Sequence, residues 1–297
     1  MRHRCRLIAA VTSAAATAAV ATACSAPAHP IKTQQFFYGV TVDDVTNLTQ
    51  IVASLARLPV RPFVRIPFDP GVSPAAYQQA INAIAKVASI MAEPVDSSEV
   101  TGYTTRQYAA RFRTYYRAFH ARVKLWEIGN EVNGDWLGPA STVSRDIEGA
   151  YTTIHQAGGQ TALTLSYEPD CAGDASHDMW TWASSNIPAQ LKQGLDYVLV
   201  SYYEEDCNGY RPVAAEWARV FNRLHAMFPR AKLGFGEVGT RPADSVAGKR
   251  AALDSYYRLR IPVPGYIGGY FWWYYAEDMV PYEHNVLWRA LSSDISS

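Results

Sequence analysis

The sequence predicts an α/β fold, a single (β/α)8 barrel, on three observations. Short apolar runs rich in β-branched and aromatic residues alternate with longer segments of helical periodicity, the pattern of a parallel sheet with crossover helices. Eight such runs can be counted. Several end in polar or aromatic residues, which in a barrel converge on the one face where the strand C-termini meet. A chain of 297 residues, 48% hydrophobic, can bury one core of that size, although length alone suits two smaller domains equally.

In chain order the expected strands are Phe36 to Val42, Phe63 to Phe68, Val87 to Ala92, Leu125 to Asn130, Thr161 to Tyr167, Tyr197 to Tyr203, Leu233 to Glu237 and Gly268 to Tyr274. The third has the least room, because Glu93-Pro94 follows it at once. Helical periodicity occupies Pro74 to Lys86, Thr105 to Arg122, Ser144 to Ala157, Ala214 to Phe228 and Ala243 to Leu259. Neither an internal repeat nor a low-complexity linker interrupts the series, and an accessory binding domain is not expected.

Ahead of the barrel, Arg2, Arg4 and Arg6 precede an uncharged, Ala-rich run from Leu7 to Ala23, which reads as a secretory signal. The domain assignment is therefore signal 1–23, a short tether 24–35 and the barrel 36–297. The run closes on Ala21-Thr22-Ala23-Cys24, similar to a bacterial lipoprotein box in which Cys24 would be lipidated and would attach the chain to a membrane. Ordinary cleavage after Ala26-Pro27-Ala28 is the competing reading and would leave a free secreted protein. Either way export is expected, to the cell surface, the periplasm or the medium. Cysteine usage agrees: with Cys5 in the signal and Cys24 at its end, Cys171 and Cys207 remain as an even pair. They follow the fifth and sixth strands, which are neighbours in a barrel, so a disulfide between them is expected. None of the seven His lies at ligand spacing to a Cys or another His, so no metal or other cofactor is expected.

Lys plus Arg and Asp plus Glu are equal at 27 each, which excludes a globally basic nucleic-acid-binding surface. Losing residues 1–23 removes three arginines and no acid, taking the net charge from 0 to −3. The 19 Tyr and 8 Trp fit an aromatic core as well as an aromatic binding cleft. A neutral small partner and a monomer are expected.

Two glutamates stand out. Trp126-Glu127-Ile128-Gly129-Asn130-Glu131 places Glu131 at the end of the fourth strand, and Gly234-Phe235-Gly236-Glu237-Val238-Gly239 places Glu237 at the end of the seventh. Together with the aromatic Tyr270-Phe271-Trp272-Trp273, they resemble the clan of (β/α)8 retaining glycoside hydrolases that includes cellulases, mannanases, xylosidases and galactanases. Locally, Glu127 to Gly134 and Ser201-Tyr202-Tyr203 resemble the endo-β-1,4-galactanases, whose His-rich third strand is missing here. Val64-Arg65-Ile66-Pro67 resembles the second strand of the cellulase and mannanase group. The resemblance implies a carbohydrate substrate, Glu131 as general acid/base, Glu237 as nucleophile, and an Arg65 that helps position Glu237. Such chemistry uses two carboxyls about 5 Å apart, one to protonate the leaving oxygen and one to attack the anomeric carbon.

Arg65, Asn130, Tyr203, Trp272 and Trp273 are the residues expected to bind or frame the substrate. Asn130 is placed to donate a hydrogen bond to the hydroxyl beside the anomeric carbon. Tyr203 would hold Glu237 ionised, and one Trp of the eighth strand would floor the sugar; the resemblance to the galactanases favours Trp273, although alternation alone does not settle the choice between Trp272 and Trp273. Each has a plainer reading: Arg65 as a structural ion-pair partner, Glu204-Glu205-Asp206 as a solvated loop, and His177, Trp180 and Trp182 as a local cluster rather than a subsite. Glu93 and Glu168 also follow strands and are candidates to line the cleft. At the level of function, two alternatives stand beside hydrolysis: a surface-anchored carbohydrate-binding protein with an inactive barrel, and a transglycosidase using the same residues.

Overall fold

A computed structural model describes residues 36–169, 171 and 173–296. The signal, the tether and Cys24 lie outside the described residues. The fold is a closed barrel of eight parallel strands in sequence order. The strands are β1 Phe37–Thr41, β2 Phe63–Pro67, β3 Ser89–Glu93, β4 Val123–Glu127, β5 Gln160–Ser166, β6 Tyr197–Tyr202, β7 Lys232–Val238 and β8 Gly268–Trp272. Each was foreseen to within a few residues. The crossover helices are α1 Leu48–Ala56, α2 Pro74–Val87, α3 Thr105–Phe119, α4 Ala140–Gln156, α5 Met179–Asn186, α6 Ala189–Gly194, α7 Ala214–Met227 and α8 Val246–Tyr257, followed by α9 Tyr275–Met279 and α10 Val286–Asp294.

The local sequence explains these elements. In α3, Tyr108, Phe112, Tyr115 and Phe119 are buried at helical spacing, and the Thr104 and Gln107 side chains cap its first turn reciprocally. Ser245 caps α8 through the Gly248 N–H at 3.1 Å, and Asn285 caps α10 through the Trp288 N–H at 2.9 Å. Every residue of β6 is buried, as a strand covered on both faces requires.

Burial divides the core in two. Met91, Leu125, Leu199 and Phe271 fill the barrel interior with Phe37 and Phe63 against them, while a larger layer packs the outer faces of the strands on the helices. Closure falls to β8, which pairs with both β1 and β7. It begins with Gly268 and Gly269 at φ 83° and 90°, and a Cβ on Gly269 would collide with the Phe235 carbonyl of β7. Only glycine lets these strands approach so closely.

Two strand ends differ from expectation. The ladder of β4 stops at Glu127, three residues before Asn130, because the chain turns after Gly129 and Glu131 takes a left-handed φ of 46°. The eighth strand stops at Trp272 because Tyr270 and Phe271 also have positive φ, at 77° and 33°, which breaks the two-residue alternation. At the same end of the barrel, a disulfide joins Cys171 to Cys207 across the β5 and β6 loops, with Cα atoms 5.3 Å apart.

Candidate active site

The chemistry-bearing end of the barrel is built around one cation. Arg65, on β2, is fully buried and reaches carboxyls on three other strands: Glu93 on β3 at 2.9 Å, Glu127 on β4 at 2.7 Å and Glu237 on β7 at 2.5 Å. Three ionised carboxylates around one guanidinium would leave two uncompensated charges without water, at a cost of several kcal/mol each. Hydrogen bonding decides which group keeps its proton. Glu127 accepts from Arg65 Nε and from the Thr164 hydroxyl, and Glu237 accepts from Arg65 Nη1 and, at 2.6 Å, from the Tyr203 hydroxyl. Glu93 lies near Arg65 Nη2, but neither of its oxygens has a properly aligned hydrogen bond. Burial pushes its carboxyl well above the ordinary range, and Arg65 opposes this only in part. Burial and the lack of an aligned donor thus both favour the neutral form of Glu93.

Glu237 reaches this position through a local irregularity. Its inward approach depends on a register shift between Val200 and Ser201 that sets Ser201 opposite Glu237 rather than Gly236. Gly236 already faces the interior, where a Cβ would lie 2.7 Å from the Thr164 hydroxyl, so simple alternation would turn its successor away.

Glu131 sits across the same cavity on the turn after β4. It accepts hydrogen bonds from Ser201 Oγ at 2.6 Å and Ser97 Oγ at 3.1 Å, both neutral donors. Burial raises its carboxyl above the usual range, with the two serines and the more distant Arg65 opposing. Burial likewise pushes Glu237 up to about 8, against the pull of Arg65 and with a further push from Glu131. Of the two, only Glu237 touches a cation, whereas Glu131 is held by neutral hydroxyls. One strand serves both: Ser201 of β6 holds Glu131 and Tyr203, just past its end, holds Glu237.

Both glutamates line a cavity of about 580 Å³ together with Ser97, Trp136, Glu168, Tyr203, Glu205, Asp206, Arg241, Trp273 and Tyr274. Tyr203 and Trp273 thus stand where the sequence suggested, with the Arg65 guanidinium 5.0 Å from the Trp273 ring centroid. The other three expected framing residues do not line the cavity. Trp272 is fully buried and turned away from the cavity, its indole N–H donating to Asp278 at 2.9 Å, while its neighbour Trp273 points the other way, as alternation places adjacent residues. Arg65 lies wholly beneath the cavity floor, so it acts on Glu237 and has no surface to offer a ligand. Asn130 is buried beside Glu131, and its Oδ1 has no hydrogen-bond partner in the protein.

Of the remaining candidates, Glu168, Glu205 and Asp206 line the cavity, whereas Glu204 is tied to Arg211 and Tyr256. Glu93 belongs to the floor rather than to the cleft. Trp182 is buried and Trp180 stacks on Arg223, so both belong to a packed cluster, while the His177 ring is fixed by the Asn133 carbonyl at 2.8 Å. Sequence reasoning missed Ser97, Ser201, Glu127 and Trp136. Ser201 carried a signal, being two residues before Tyr203 on one strand face, and so did Glu127, a charge inside an apolar strand. Ser97 and Trp136 sit on loops and carried none. Among the described residues no cluster of His, Cys, Asp or Glu is placed to hold a metal ion.

Fold and site together define a (β/α)8 protein with paired buried carboxyls at the C-terminal ends of β4 and β7. No family model matches the chain, and no curated protein matches it. Among solved structures it is similar to the Thermotoga maritima Cel5A complex with mannotriose, at 11% identity and a TM-score of 0.60, covering 88% of this chain and 98% of that one. It is also similar to a GH30 endoxylanase from Clostridium papyrosolvens C71, at 10% identity and a TM-score of 0.58, covering 89% and 72%. A GH18 chitinase from Pseudoalteromonas aurantia matches at 11% identity and a TM-score of 0.54, covering 87% and 99%. The chain has the barrel fold of these glycoside hydrolases; the galactanase likeness remains a matter of local sequence.

Proposed function

We propose that this protein is a retaining glycoside hydrolase acting on an oligo- or polysaccharide by double displacement. The observation that carries the reading is the unequal pair: Glu237 bonded to a buried guanidinium and a phenol, Glu131 bonded only to hydroxyls, both lining one cavity. In the first step a Glu237 oxygen attacks the anomeric carbon as its bond to the leaving oxygen breaks, and that oxygen takes the Glu131 proton. In the second, Glu131 removes a proton from water, whose oxygen displaces Glu237 from the anomeric carbon. Asn130, which precedes Glu131, is assigned to donate its amide N–H to the sugar hydroxyl beside the anomeric carbon, and Trp273 gives the sugar a flat floor. The glycoside hydrolases that share the fold support the chemical class.

The test uses azide and an activated aryl glycoside. With Glu237→Ala, azide replaces the nucleophile and yields a glycosyl azide of inverted configuration. With Glu131→Ala, azide attacks the glycosyl-enzyme instead and the product keeps the original configuration. Both variants lose turnover by orders of magnitude in azide-free buffer. The same configuration from both variants, or full activity in either, refutes the assignment. The leader sequence and the Cys171–Cys207 disulfide further support export, with Cys24 as lipid anchor. Cys24→Ser should then move the protein from the membrane fraction to the soluble one.

A further inference from the structure

Trp136 takes no part in the double displacement, yet it lines the same cavity as Glu131 and is 45% exposed. Of the large hydrophobic side chains most exposed among the described residues, it is the one that faces this cavity. Its indole is fixed in place. The ring lies over Gly134 so closely that a Cβ there would come within 2.5 Å of it. Leu137, the next residue, is buried, and Asn133 ties the same loop to the end of β5. The Asn133 amide donates to the carbonyls of Ser166 and His177, each at 2.9 Å, and its Oδ1 accepts from the Ser166 N–H at 2.8 Å. An open aromatic face held from beneath by backbone is a preorganised stacking surface, since ordering it on binding costs little further entropy.

Position gives the surface a role. Trp273 belongs to the Arg65 and Glu237 side of the cavity, whereas Trp136 follows five residues after Glu131, the group that protonates the departing oxygen. The nearby wall is acidic, with Glu168, Glu205 and Asp206 set against one lining cation, Arg241. That wall disfavours a uronate.

Building on the retaining-hydrolase reading, we propose that Trp136 is the stacking platform of a second sugar-binding position, on the leaving-group side. The substrate is then a chain of uncharged pyranoses held across the scissile bond, not a glycoside with a small aglycone. A pinned aromatic surface contributes on the order of tenfold in binding. The experiment compares Trp136→Ala and Trp136→Phe with the wild type on cello-, manno- and xylo-oligosaccharides, on oligogalacturonides and on p-nitrophenyl glycosides. Binding of the oligosaccharides is also titrated in the Glu237→Gln background.

Trp136→Ala should lose about tenfold more kcat/KM on the oligosaccharide than on the aryl glycoside, mainly through KM, with Trp136→Phe recovering part of the loss. Equal losses on both substrates, or unweakened oligosaccharide binding in the Trp136→Ala, Glu237→Gln double variant, overturn the platform and leave the catalytic reading standing. Preferred cleavage of oligogalacturonides overturns the uncharged-sugar assignment. Failure of the wild type to bind or cleave any of these sugars overturns the catalytic reading and the platform with it.

Discussion

At the residue scale, the site turns on how one guanidinium is divided. Arg65 presents a planar fork to Glu93, Glu127 and Glu237, and a lysine at that position offers one point charge in place of three directed groups. Arg65→Lys should therefore lower kcat/KM by about 10- to 100-fold and move the ascending limb of its pH profile upward, because Glu237, already raised to about 8, loses its bonded cation. A titration of activity on an activated aryl glycoside reads both effects; an unmoved limb would separate Arg65 from the nucleophile. The descending limb belongs to the other carboxyl. Burial raises Glu131, and on the proposed mechanism its protonated form is the working one, so Glu131→Gln, assayed on a leaving group that needs no acid, should abolish that limb while the ascending one stays in place. Much of this arrangement was legible: Glu131, Glu237 and Tyr203 were picked out as residue types at strand ends, and Arg65 by the resemblance of its strand to the second strand of the cellulase and mannanase group. The Arg65 partners Glu93 and Glu127 were not assigned, since pairing across three strands depends on barrel register and side-chain reach that a linear pattern does not encode.

At the scale of elements, regular strands were readable and their irregular ends were not. Apolar runs revealed all eight strands, because a strand covered on both faces needs little else. Alternation alone could not choose between Trp272 and Trp273, because Tyr270 and Phe271 adopt positive φ and suspend it, and the preference for Trp273 came from the galactanase resemblance. The same irregularity makes β8 sensitive. Gly269→Ala forces a Cβ into the Phe235 carbonyl at a left-handed position and should destabilise by more than about 2 kcal/mol in chemical denaturation. A near-neutral result would mean that β7 and β8 can separate without loss. The Cys171–Cys207 bridge acts at the opposite extreme of regularity, tying two loops 36 residues apart in sequence. Replacing both cysteines by serine should cost about 2–4 kcal/mol by removing the constraint on the unfolded chain. It should also loosen the loops that bring Glu168, Glu205 and Asp206 to the cavity, which a rise in KM larger than the fall in kcat would report.

At the scale of the whole molecule, a floor of buried acids sets a condition on stability. Glu93, Glu131 and Glu237 all have folded-state pKa values raised by burial, so the folded protein holds protons that the unfolded chain releases near the ordinary carboxylate range. A raised folded pKa contributes stability that is complete below the unfolded value and is lost as pH climbs through the folded one. For Glu237 that window runs from 4.5 to about 8. The ligand-free protein should accordingly lose thermal stability between mildly acidic and mildly alkaline pH. Glu93→Gln should lessen the decline, since an amide of the same shape has no proton to lose and keeps an oxygen toward Arg65. Measured as the midpoint of thermal unfolding across that range, the variant should gain on the wild type as pH rises, and the gain should be smallest at the acidic end. Parallel curves at every pH would mean that Glu93 is ionised throughout, with the buried proton elsewhere in the cluster. A bound oligosaccharide should raise the midpoint at every pH without restoring the lost slope, because the Glu93 carboxyl lies beneath the floor and a ligand in the cleft does not reach it.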